Sequence, residues 1–279
     1  MLTIIRTELV KIASRPRSYI GFIAITIIVS IIHLAMYKDG ESYIGFITQG
    51  FDQSFLMEGK IMNGNLVCFI ILQTLILQIP LLVALVTGDL VSGEAASGTI
   101  RFLLTRPVSR TGILFSKFIA GGIYTFILLI WLGILALGIG LLLFGEGDLI
   151  VLKSDEIIIL QQDDVLWRFM SALAAAFLAL VLVATFSMLL SCFSDNSIGP
   201  IITTMAVIIL FTIIGTMDIP LFDKIKPFLF TTHMIIWKSF FDNPLPVSQI
   251  IESIVIMILH IVVFILIAWY HFRRKDILS

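Results

Sequence analysis

The sequence predicts an all-α membrane protein with six transmembrane helices. Composition is the first reason: of 279 residues, 59% are hydrophobic and only 13% charged, and mean hydropathy is +1.09. A soluble globular chain is about 45–50% apolar and about 25% charged, so this apolar surface does not fit inside one soluble core. The second reason is segmentation. The apolar residues fall into six stretches, each near the roughly 20 residues a helix needs to cross a bilayer. The third is the absence of the alternating segments of about ten residues that mark barrel strands. A helix satisfies its own backbone in lipid. A soluble enzyme, a disordered chain and a disulfide-stapled secreted domain are all excluded. Cys68 and Cys192 lie in or beside apolar runs, with no metal-type spacing.

The spans run at 19–36, 66–86, 118–143, 169–190, 198–216 and 247–270, and residues 1–279 read as one membrane domain. Basic residues set the orientation. Arg6, Lys11, Arg15, Arg17, Arg101, Arg106, Arg110, Lys117, Arg273, Arg274 and Lys275 share one face, against seven on the other. The first face is cytoplasmic by the positive-inside rule, and both termini lie there. No small-residue cleavage site follows the first span, so it reads as a retained helix.

Residues 1–16 form an amphipathic helix. Leu2, Ile5, Leu9 and Ile12 share a face, Arg6, Glu8, Lys11 and Arg15 surround it, and Pro16 breaks it from the first span. Such a helix lies in the membrane interface as an anchor, a partner contact, or both.

The cytoplasmic segment 87–117 between spans 2 and 3 is the most informative part. A short helix is expected at 99–105, with Thr99 capping its start and Pro107 ending it. Ile100, Leu103 and Leu104 share its apolar face. Two readings stay open: the face lies on lipid, or it inserts into a groove on another protein. Gly93 and Gly98 have the spacing of a phosphate-binding loop, but Thr99 stands where the essential lysine belongs and no buried strand leads in. Nucleotide binding by this chain is therefore dismissed, and any ATP that drives it is bound by a separate subunit.

The outer segment 217–246 carries four prolines and is too interrupted to span. It predicts short re-entrant or surface helices before span 6. His233, Ile236, Trp237, Phe240 and Phe241 line one face, as an aromatic belt or an outer lid.

Polar groups inside the spans are the remaining candidates. Glu252 is the one acid within a predicted span, near its outer end, where a helix N-terminus favours an anion. His260 lies deeper in the same span. Gln73 and Gln78 in span 2 suit interhelical hydrogen bonds or a cavity lining. No paired-acid, HExxH or serine–histidine pattern is present, so no catalytic or metal-binding residues are assigned. Nucleic acid finds no binding surface.

The 87–117 segment resembles the permease subunit of ATP-binding-cassette transporters of the type-2 class, mostly bacterial exporters. The resemblance is carried by Glu94, Gly98-Thr99, Leu103-Leu104, Pro107 and Ser109-Arg110, followed by Lys117 at the entrance of span 3. The six-span layout, amphipathic N-terminal helix and aromatic outer segment also match. The resemblance implies a half-transporter in the bacterial plasma membrane. Two permease chains, identical or sisters, would pair with two ATPase subunits that bind the ATP and magnesium, leaving no cofactor in this chain. The 99–105 helix would be the coupling helix, with Glu94, Gly98, Thr99, Ile100, Leu103, Leu104, Pro107 and Arg110 as the ATPase-coupling residues. Few charges in the spans suit an amphipathic or hydrophobic cargo such as a peptide, lipid or antibiotic. The alternative is an ATP-independent channel or secondary carrier using Glu252, and a membrane scaffold is a third.

Overall fold

The computed structural model describes residues 1–48, 61–75, 78–99, 109–153 and 157–274. Helices dominate. α1 (Leu2–Ser14) is followed at once by α2 (Arg17–Thr48). α3 (Gly64–Leu75) and α4 (Ile79–Thr87) are bent by 51° relative to each other, with Pro80 in the first turn of α4. Proline at that position tolerates a helix start but removes a backbone donor, which suits a break here. After the short α5 (Ser92–Ala96) comes α6 (Arg110–Phe144), which widens into a π-helical stretch over Ile134–Ile139. α7 (Gln162–Phe193), α8 (Gly199–Thr216), α9 (Pro220–Asp223), α10 (Phe230–Met234) and α11 (Val247–Arg274) follow among the described residues.

Five of these helices are long and apolar enough to cross a membrane, or six if α3 and α4 form one broken span. The chain is an α-helical, multi-pass membrane protein. α7 is the central one, packed by α4, α6, α8 and α11. Its alanines 172, 175, 176 and 179 are all buried and let those neighbours approach closely. α2, α8 and α11 instead expose apolar stripes, such as Ile23, Ile27 and Ile31 on α2, as lipid-facing helices do.

One element departs from the all-helix expectation. β1 (Leu149–Leu152) and β2 (Ile157–Leu160) form an antiparallel hairpin, with Leu149 opposite Leu160. The runs LIVL and IIIL are too short to span and rich in β-branched residues, so they pair with each other. The hairpin sits beside the end of α6, where Asn63 and Asn65 donate to Asp148 O and Gly147 O at 2.7 Å each. Gly64 lies against the α6 backbone: a Cβ there would stand 2.6 Å from Gly140 O.

The 217–246 segment folds into α9, α10 and two 3₁₀ stretches, Lys226–Phe228 and Ile235–Phe241. It dips into the bundle rather than lying on it. Phe230 packs against Phe186, Phe211 and Phe264, and Trp237 and Phe241 are buried against Phe69. The aromatic face predicted as an interfacial belt is therefore mainly core. The segment's apolar side gains more by burial against α3 and α7 than at the interface. Arg168 on α7 holds it, donating through Nη1 to Phe240 O and Asp242 O at 2.9 Å each.

Candidate functional site

The described chemistry concentrates at the basic end of the bundle, where α1, the 87–99 segment, α6 and the 194–198 turn meet. The backbone sets the stage. After α4 the chain turns through Gly88–Val91, and α5 begins where Ser191 Oγ of α7 accepts from Val91 N and Ser92 N at 3.2 and 2.8 Å. A serine on a neighbouring helix thus satisfies two orphan N–H groups at the start of α5. Ser187 of the same helix donates to Ala84 O.

On this platform two acids and two lysines close a ring. Lys11 Nζ lies 2.7 Å from both Glu8 Oε1 and Glu94 Oε1. Lys117 Nζ lies 2.8 Å from Glu8 Oε2 and from Glu94 Oε2. Each carboxylate spans both ammoniums, and the ring is neutral. Glu8, Glu94 and Lys117 are buried, while the Lys11 side chain keeps 32% exposure. Lys117 also donates to Leu90 O at 2.8 Å. Its contact with Glu94 Oε2 is off the hydrogen-bond line, so charge attraction carries it.

Titration follows the geometry. Burial alone would raise the Glu94 carboxyl, but the Lys117 charge and the hydrogen bond from Lys11 hold it below the usual carboxylate value. Burial alone would lower Lys11, but hydrogen bonds to Glu8 and Glu94 outweigh it and raise the ammonium above its ordinary value.

A second node adjoins the ring. Asp89, fully buried, takes Arg15 and Arg17 as ion-pair partners and accepts a hydrogen bond from Ser197 Oγ. Arg17 Nη1 also reaches Ser197 Oγ at 3.2 Å. Gly93 makes room for this carboxylate, since a Cβ there would lie 2.3 Å from Asp89 Oδ1. Gly98 takes a left-handed φ of 69° and turns the chain out of α5 toward Thr99. The glycine spacing that imitates a phosphate loop thus has a packing cause and a turning cause.

The chain's membership can be stated from its match. Residues 22–278 match the family described as Protein of unknown function (DUF2705). The chain belongs to that family. No curated protein matches it. In this DUF2705 chain, Asp89, Glu94 and Lys117 lie inside the matched segment, and Glu8, Lys11, Arg15 and Arg17 precede it.

The residues singled out from sequence divide unevenly. Glu94, Gly98 and Thr99 belong to the basic-end assembly. Arg110 opens α6, behind the Ser109 cap, and donates to Arg273 O on α11 at 3.3 Å. Ile100, Leu103, Leu104 and Pro107 lie outside the described residues. Gln73 and Gln78 are exposed, and Gln73 lines an open cleft with Tyr43, Phe69 and Ile150. Glu252 is exposed on α11. His260 Nδ1 bonds Ile256 O at 2.8 Å, and its ring packs on Phe264. No hydrogen bond or ion pair joins these four to one another. Among the described residues, no group of three His, Cys, Asp or Glu is placed to hold a metal ion.

Sequence reasoning missed Glu8, Lys11, Arg15, Arg17 and Asp89 as site residues. It placed Glu8 on the polar side of α1, yet Glu8 and Ile12 are the buried positions of that helix, and Leu2 is 84% exposed. One signal was available. Lys117 stands in a largely apolar stretch at the start of a span, and a buried lysine needs an acid.

Proposed function

We propose that this chain is the membrane-embedded permease subunit of an ATP-driven exporter, resembling the type-2 class of ATP-binding-cassette transporters. The observation that carries the reading is the buried ring. It ties the stretch leading into residues 99–105 to the N-terminal helix and to α6, so a push on that stretch is delivered to both as one body. Coupling a detachable motor to a gate needs such a link. A buried ion ring adds little net stability but fixes register.

In this reading the 99–105 segment presents Ile100, Leu103 and Leu104 to a groove on an ATPase subunit, and Glu94 and Arg110 hold its two ends. Two ATPase copies bind ATP and magnesium, and the permease has no catalytic role of its own. A second permease chain, identical or a sister, completes the path for an amphipathic or hydrophobic cargo. The chain sits in a bacterial plasma membrane with both termini cytoplasmic.

The test is co-purification with an ATPase subunit and ATP-dependent transport in vesicles. Leu103→Asp is expected to lose the ATPase or to uncouple hydrolysis from transport, because it places a charge on an apolar docking face. Full ATP-driven transport by this variant would sink the coupling role. Transport without ATP that disappears in Glu252→Gln would favour the carrier.

A further inference from the structure

A cavity of about 220 Å³ lies between α4, the middle of α7, the second half of α8 and the α10 turn. Ala176 and Ala179 leave space where larger side chains would fill it. The walls are apolar except for Thr212 and Thr231. Thr231 is 5% exposed, and its hydroxyl has no hydrogen-bond partner among the described residues. A buried hydroxyl without a partner is unusual and costly. Ile209 and Ile213, both about half exposed, stand at the mouth on a helix apolar enough to cross a membrane. The cavity therefore opens toward hydrocarbon.

We infer that this cavity binds an uncharged, membrane-soluble small molecule carrying one hydrogen-bond acceptor, which accepts a hydrogen bond from the Thr231 hydroxyl. Among the described residues no charged side chain lines the site, so an ionised ligand would enter unpaired. An apolar cavity of about 150 Å³ already stays dry and admits benzene, so this one accommodates a one- to two-ring or short branched ligand. The ligand enters sideways from the bilayer. The inference does not depend on ATP coupling, and its test uses the chain alone.

Benzophenone fits the description: it is uncharged, apolar, has one carbonyl acceptor and is photoactivatable. The full chain in phospholipid nanodiscs is irradiated with benzophenone, and the labelled peptides are mapped by mass spectrometry. Label is expected to concentrate on 208–213 and 231–237. Thr231→Val should raise the half-saturating concentration about fivefold, the worth of one hydrogen bond, and Thr231→Ser should restore it. Ile209→Trp, at the exposed mouth where folding is not at stake, should reduce the label severalfold. Label spread evenly over all lipid-facing helices would overturn the inference. So would concentrated label that Thr231→Val leaves unchanged.

Discussion

Replacing Lys117 by methionine tests the ring at its most buried point. The variant keeps an unbranched side chain of similar length and deletes one charge. Glu8 and Glu94 then share a single ammonium, Lys11, and Leu90 O loses its donor. Glu8 is 1% and Glu94 4% exposed, so water cannot replace the missing partner. Breaking a buried pair by removing one member costs about 3–5 kcal/mol. At about 2–4 °C per kcal/mol for a chain of this size, thermal unfolding in detergent should move down on the order of 10 °C. Lys11→Met should cost less, about 1 kcal/mol, because that ammonium is partly in water and Lys117 still bridges both acids. Lys117→Met combined with Glu94→Gln leaves one acid and one lysine. This double variant should be more stable than Lys117→Met alone, the non-additivity expected of coupled charges. The reasoning is refuted if Lys117→Met melts within about 2 °C of the parent, or if the double variant is the less stable.

Other outcomes follow from the same geometry. Glu94 has a depressed carboxyl value, so its contribution is complete above the ordinary value of about 4.3 and fades as pH falls through the lower folded value. Melting temperature against pH should show that acid-side loss in the parent and a shallower one in Glu94→Gln. Lys11 behaves oppositely: its raised value keeps its contribution whole below about pH 10.4 and removes it as pH climbs through the folded value, a loss Lys11→Met should lack. Gly64→Ala sets a methyl 2.6 Å from a backbone carbonyl that cannot move aside. It should cost about 1–3 kcal/mol, read as a lower melting temperature. Arg168→Met strips two backbone carbonyls of their shared donor and should cost about 2 kcal/mol. Arg168→Lys should recover only part, since a point charge cannot reproduce the fork; equal stability of both variants would argue against the two-carbonyl clamp.

Much of the architecture was legible because lipid leaves few options. The apolar stretches marked where the long helices lie, although α2 runs on to Thr48 and α6 and α7 begin well ahead of the expected spans, at Arg110 and Gln162, and Pro16, the proline-broken outer segment and the amphipathic α1 were each recognisable from local pattern. The 149–160 hairpin was not. Two runs of four apolar residues carry too little periodicity to separate strand from helix, and only their pairing settles it. The bend in span 2 falls beside Pro80, in the first turn of α4. The outer aromatics were read correctly as one face and misplaced at the interface, because periodicity does not say what a face meets.

For the site, sequence picked Glu94 through its motif, noted Lys117 only at the entrance of span 3, and passed over Glu8, Lys11 and Asp89. Glu8, Lys11, Asp89 and Lys117 are scattered over more than a hundred positions and follow no fixed spacing. The chain by itself determined that this protein lives in a bilayer, because the cost of exposing backbone and charge to hydrocarbon is read one segment at a time. Only the tertiary structure decided that four charges from three distant segments neutralise one another in a single buried ring. Electrostatic pairing depends on distance in space, and no local pattern encodes which turn will carry an acid to a lysine.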